Sequence, residues 1–300
     1  MRRIGMMRVE LIGLSIIVFL TVMPFALSLF ALLDWAKVRL AHTRRRWWIL
    51  RFAIIADVLL ALCLVDGYLI EPNVLTVTRI PATSPKIASA LKIVHVTDVH
   101  FERKTRLTEK VLATISRENP DLIFVTGDIH QLGKYDMAQF RDFLSRLCSI
   151  APAYGVAGFD DELALKQASL GRLHLIDSSS VDLTIRGTAI RVEGLRAKAR
   201  PTNSHVLQIV LMHSPDGIPL AADMGADWCF AGHTHGGQIR LPIWGAITTA
   251  ADTGKRFECG SYQVGKTDAF VSRGIGLEPP PAPQVRFLCP PEIVVLTLKR

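Results

Sequence analysis

The 300 residues contain no CxxC pair, no internal repeat and no low-complexity tract. The first absence argues against a dithiol redox motif or a paired-thiolate zinc site, and the others against a solenoid or a long tether. There is no helix-turn-helix, zinc-finger or RNA-binding signature and no basic stripe with interleaved aromatics, so nucleic acid is not an expected partner. The net charge of +8 does not argue otherwise. Residues 1–70 hold nine Lys or Arg against four Asp or Glu, which leaves only +3 for the remaining 230 residues. The five cysteines are scattered. Cys63, Cys148 and Cys229 fall in apolar stretches and read as packing residues, whereas Cys259 and Cys289 would be able to pair only if their domain is extracytoplasmic.

Long apolar runs, by contrast, are present near the N-terminus. Residues 11–33, between Glu10 and Asp34, form 23 consecutive uncharged residues, enough to cross a hydrocarbon core of about 30 Å at about 1.5 Å per residue. A cleaved signal peptide fits poorly, since its apolar core is usually only about 7–15 residues long. A second run, residues 52–70, is interrupted by Asp57 and Asp66 and reads as a second span or as an interfacial helix. With both spanning, residues 1–71 are a transmembrane helical hairpin, 72–90 a linker and 91–300 one large α/β domain. The connecting segment carries Lys37, Arg39, Arg44, Arg45, Arg46 and Arg51, with Trp47 and Trp48 suited to the headgroup zone. The positive-inside tendency puts it in the cytoplasm and the domain outside a bacterial-type inner membrane, while Arg2, Arg3 and Arg8 pull the other way.

Within residues 91–300, short β-branched runs alternate with helical spacing. Leu91 to Thr97, Asp121 to Thr126 and Val206 to Met212 read as strands buried on both faces. Thr108 to Glu118 places Val111, Leu112 and Ile115 on one helical face and stops at Asn119-Pro120; Tyr135 to Cys148 repeats the pattern with Met137, Phe140, Leu144 and Leu147. This order predicts βαβ units with right-handed crossovers. Val181 to Ile185 and Ile190 to Val192 alternate by two around Arg186-Gly187-Thr188, which predicts a hairpin. Glu278 to Pro283, with four prolines, predicts a stiff surface loop.

Polar clusters follow the strands. Asp98-Val99-His100, Gly127-Asp128-Ile129-His130, His213-Ser214-Pro215-Asp216 and Gly232-His233-Thr234-His235 each stand directly after an apolar run. In layered α/β folds such loops converge beyond one edge of the sheet. A mixed carboxylate and imidazole set suits zinc, manganese or iron better than calcium. Two such ions about 3.5–4 Å apart activate water and stabilise both oxygens of an in-line displacement at phosphorus.

The ordered set D-x-H, G-D, strand-His and G-H-x-H resembles the calcineurin-like metallophosphoesterase superfamily from Lys92 to the C-terminus. Gly-His-Thr-His-Gly-Gly-Gln at 232–238 with Leu241-Pro242, and the tail Val271 to Gly276 with Pro291-Glu292-Ile293, resemble its bacterial membrane-associated branch. The resemblance implies a four-layer α/β/β/α sandwich and a two-ion site. Asp98, His100 and His235 would hold one divalent transition metal, Asp128 would bridge, and His213 and His233 would hold the other.

One motif departs from the family. Where the family carries G-N-H-D or G-N-H-E, this chain reads Gly158-Phe159-Asp160-Asp161. A phenyl ring cannot bind a metal, so Asp160 or Asp161 would have to reach the second ion, or His130 would have to act as a substitute acid. A missing general acid typically costs about 10²–10⁴ in rate. The implied function is membrane-anchored phosphodiester or pyrophosphate hydrolysis on a lipid-linked or membrane-proximal substrate. The rival is an impaired member that binds metal, lipid or a partner. Branch members that split UDP-2,3-diacylglucosamine need a cytoplasm-facing site, which the topology above disfavours. Arg103, Arg240, Arg273 and Arg286, in or near the motif loops, are candidates to grip substrate phosphates.

Overall fold

The computed structural model describes residues 44–131, 133, 136–158, 172–195, 205–280 and 282–300. The expected span over 11–33 lies outside them, as do Phe159, Asp160 and Asp161. Helix α1 (Arg44–Val65) continues through a π-helical turn, Asp66–Ile70, and a 3₁₀ turn, Glu71–Asn73. From Arg51 onward the side chains are largely exposed, among them Phe52, Val58, Leu62 and Leu69. Among the described residues, Arg51–Asn73 is one helix long and apolar enough to cross a membrane. Cys63, expected as a packing residue, is exposed on it.

The next residues overturn the expected linker. Strand β1 (Thr76–Thr83) lies inside 72–90 and is part of the main sheet, so the folded domain begins before residue 91. Its polar alternation and Pro81 suit an edge strand, where one side of the ladder stays unpaired. The chain then runs through β2 (Leu91–Val96), α2 (Arg106–Glu118), β3 (Leu122–Thr126), α3 (Met137–Ile150), β4 (Ala153–Val156) and β5 (Leu173–Leu175). Thr105 and Thr108 cap α2 reciprocally, and Asn119 ends it in the left-handed conformation before Pro120. Asp136 caps α3 by accepting from the amides of Ala138 and Gln139.

The hairpin of β6 (Ser180–Ile185) and β7 (Thr188–Gly194) turns on Arg186 and Gly187, both at positive φ. After it come β8 (Leu207–Leu211), the short α4 (Ile218–Asp223), β9 (Trp228–Ala231), the small hairpin β10 (Arg240–Leu241) and β11 (Gly245–Ala246), then β12 (Gly260–Val264), β13 (Thr267–Val271) and β14 (Glu292–Lys299). One six-stranded sheet runs β1-β14-β2-β3-β4-β5, the other β12-β13-β9-β8-β7-β6.

The period of two in each strand divides its side chains between two layers. Leu91, Ile93, Leu122 and Phe124 meet Leu207, Ile209, Trp228 and Phe230 between the sheets. Val94, Val96, Ile123 and Val125 face outward, under Leu112 and Ile115 of α2 and Phe140 and Leu144 of α3. On the far side Val210, Cys229 and Ala269 are covered by Ile218 and Ala221 of α4 and by Phe257. The fold is therefore an α/β/β/α sandwich in which, among the described residues, the short α4 forms the second helical layer. Strands β2, β3 and β4 are parallel, as are β7, β8, β9 and β13. Their C-terminal ends carry the polar clusters read from the sequence.

Candidate metal centre

Among the described residues, two groups of side chains have the donor atoms for a metal ion, each with its donors within 4.8 Å of one another. Asp98, His100 and His235 form one, and Asp128, His213 and His233 the other. All six follow strands β2, β3, β8 and β9. Five of them, Asp98, His100, Asp128, His233 and His235, have φ between 44° and 69°. Non-glycine residues in this region cost on the order of 1–3 kcal/mol each and persist where surrounding structure imposes them. Here the five residues all belong to the two donor clusters.

Glycines make the close approach possible. A Cβ at Gly158 would lie 1.8 Å from Oδ1 of Asp128, and one at Gly232 would lie 2.3 Å from Oδ2 of Asp98. Asp98 is fully buried, and its two oxygens accept from the backbone amide of His233 at 3.1 and 3.0 Å. One amide thus ties the first group to the second.

The imidazoles are oriented from behind. Nδ1 of His213 donates to the carbonyl of Thr126 at 2.8 Å, which turns Nε2 toward Oδ2 of Asp128 at 3.2 Å. The Nε2 atoms of His100 and His235 are 3.1 Å apart. The carbonyl of Gly276 accepts from Arg286, whose guanidinium lies 3.4 Å from Nδ1 of His235. Such outer partners fix the ring and its tautomer.

Burial lowers His100 and His233 to about 4 and, with the nearby Arg286 charge, His235 to about 3. All three are therefore neutral at neutral pH, the form that binds metal. Burial also opposes charge on His213 and Asp128, but each holds the other ionised: Asp128 raises His213 and is itself lowered. Asp98 is raised by its burial and by the neighbouring Asp128. Two carboxylates and four imidazoles this close, buried or half-buried, are a donor set that a divalent cation would neutralise.

Other sequence readings fare differently. His130 is buried with its ring against Phe140, 5.8 Å between centroids, and belongs to neither group. Three of the four arginines considered for phosphate are bound to internal partners. Arg240 donates to Gly236 and Glu258, Arg273 to Thr76 and Glu292, and the fully buried Arg286 to the carbonyls of Arg273, Gly276 and Cys289. Cys259 and Cys289 are both free thiols.

Glu278 was read only as the start of a stiff loop, yet its Oε2 lies 3.1 Å from Nε2 of His235. The one signal available was a carboxylate set between Gly274-Ile275-Gly276 and a proline run.

The comparisons agree with this geometry. The family model described as "Calcineurin-like phosphoesterase" matches residues 91–237. The chain is 30% identical over 254 residues to the uncharacterized metallophosphoesterase YkuE of Bacillus subtilis (strain 168), covering 77% of this chain and 87% of that one. It is 27% identical to phosphodiesterase YaeI of Escherichia coli (strain K12), over 70% of this chain and 83% of the relative. To UDP-2,3-diacylglucosamine pyrophosphatase LpxG of Chlamydia muridarum (strain MoPn / Nigg) it is 23% identical, over 76% and 90%. The chain belongs to the calcineurin-like phosphoesterase family and is a metal-dependent phosphoester hydrolase.

Proposed function

We propose that this hydrolase is membrane-anchored and cleaves a phosphodiester or pyrophosphate bond in a lipid-linked or membrane-proximal substrate. Asp98, His100 and His235 would hold one divalent metal, His213 and His233 the other, with Asp128 between them. Manganese, iron and zinc all suit this donor set. When bound, the ions supply Lewis acidity to the phosphoryl group and make water a nucleophile at neutral pH. The protein's part is to keep His100, His233 and His235 neutral, to aim His213 through Thr126, and to hold Asp98 and Asp128 in a buried cleft.

The observation that carries the membrane reading is the docking of the apolar helix onto the site's supporting loop. The backbone carbonyl of Gly67 accepts from Arg286 at 3.0 Å. The carboxylate of Glu71 accepts from Leu288, at 2.8 Å, and from Cys289. Arg286 and Cys289 in turn touch His235. The same loop bonds the β10–β11 hairpin, where Arg240 donates to the Phe287 carbonyl and Phe287 to that of Gln238. Beyond it, Ile243 and Trp244 are fully or mostly exposed, and Lys255 lies 4.5 Å over the Trp244 ring. An apolar tip with adjacent cations suits the headgroup zone. The relatives named phosphodiesterase and UDP-2,3-diacylglucosamine pyrophosphatase support the same bond classes.

On this reading the basic segment from Lys37 to Arg51 lies on the cytoplasmic side and the domain opposite, in a bacterial-type inner membrane. The test is hydrolysis by the full chain in vesicles, comparing a lipid-linked pyrophosphate with a soluble aryl phosphodiester. Preference for the lipid substrate is expected. Equal turnover of both, with a protein that does not sediment with vesicles, would contradict the membrane reading.

A further inference from the structure

Glu278 stands outside every motif that defines the six-residue set, but it reaches into the same cleft. Its Oε2 lies 3.1 Å from Nε2 of His235, itself 3.1 Å from Nε2 of His100 and 4.0 Å from Oδ1 of Asp98. Two donors bound at right angles to one ion, with bonds of about 2.1 Å, are about 3 Å apart. The His100–His235 and His235–Glu278 spacings both match that value.

The loop that carries Glu278 is fixed rather than loose. The Glu278 amide donates to Oε1 of Gln238 at 2.8 Å, and Nε2 of Gln238 donates to the Pro283 carbonyl at 3.1 Å. Gln284 donates to the carbonyl of Glu278 at 2.7 Å, and Pro279, Pro280 and Pro283 stiffen the backbone between. Gln238 belongs to the 232–238 glycine-histidine run. The segment that supplies two imidazoles therefore also clamps the loop that presents this carboxylate.

We infer that Glu278 is a further metal ligand, an oxygen donor beside His235 of the Asp98, His100 and His235 group. The inference rests on the metallophosphoesterase reading of that group. A third anionic oxygen in the cleft would favour ions that accept more oxygen donors, such as manganese or iron, over tetrahedral zinc.

The experiment strips the full chain of metal in detergent and titrates it with Mn²⁺ by calorimetry, followed by the electron paramagnetic resonance spectrum of the bound ion. Wild type should take up two ions. Glu278→Ala should bind one of them about tenfold or more weakly, with a changed Mn²⁺ spectrum, and Glu278→Asp should fall between. Melting of the metal-free variants reports whether the fold is kept; Glu278→Gln, which preserves the side-chain volume, replaces the alanine variant if melting drops. Wild-type affinity, stoichiometry and spectrum in both Glu278→Ala and Glu278→Gln would overturn the assignment. Failure of the wild type itself to bind Mn²⁺ would overturn the metal reading beneath it, a distinct result.

Discussion

The carbonyl oxygen of Thr126 lies 2.8 Å from Nδ1 of His213, and this bond decides which ring nitrogen faces the cleft. Thr126 is the last residue of β3 and Asp128 follows two positions later, so one strand end sets both the ring orientation of His213 and the carboxylate it meets. His213→Ala should reduce metal content from two ions per chain to one, measured by mass spectrometry of the protein after gel filtration. Two retained ions would contradict the role given to His213.

The glycines beside the two carboxylates should be separable by metal content. At Gly158 a methyl group would overlap Asp128, and at Gly232 it would sit 2.2 Å from Oγ1 of Thr97 and 2.3 Å from Asp98. Gly158→Ala should therefore weaken the Asp128, His213 and His233 group, and Gly232→Ala the Asp98, His100 and His235 group. Calorimetric titration with Mn²⁺ distinguishes them. Variants that both bind two ions as tightly as wild type would show that the close packing is dispensable.

Away from the site, Glu109 of α2 accepts from both terminal nitrogens of Arg146 on α3, at 2.7 and 2.9 Å. The Arg146 hydrogen bond, with help from Lys104, holds the carboxyl at about 2, below its ordinary 4.5. A lowered folded-state pKa contributes stability that is present above the unfolded value and lost as pH falls through the folded one. Glu109→Gln should lower Tm slightly at pH 7, because the pair is exposed and screened. The gap to wild type should close between pH about 4.5 and about 2. A gap unchanged at the acid end of thermal scans would rule the ion pair out as its source.

At the β10–β11 tip, Ile243→Asp combined with Trp244→Asp should lower turnover of a vesicle-borne substrate several-fold and leave a soluble aryl phosphodiester unaffected. Neither residue is part of the metal centre. Equal loss on both substrates would mean the hairpin acts on the site rather than on the bilayer.

How much of this was legible beforehand differs by residue, for physical reasons. Asp98, His100, His213, His233 and His235 could be found because each follows a run of β-branched residues, and parallel strands bring such ends together. The α2 and α3 boundaries were close because Asn119-Pro120 and the apolar spacing are local signals. Strand β1 was hidden because an edge strand needs no apolar alternation and tolerates Pro81, so it read as linker. Arg286 reads from the sequence as a candidate to grip phosphate, since nothing local shows that three carbonyls enclose it. Glu278 was missed because its position depends on Gln238, 40 residues away, and on the pairing of loops that no local pattern encodes.

The most direct measurement is manganese-dependent hydrolysis of an aryl phosphodiester by the full chain in detergent, with Asp128→Ala and His235→Ala run beside it. Turnover should require added metal and fall by about 10² in both variants. Turnover that persists without metal, or survives both substitutions, would contradict the placement of the reaction at this centre.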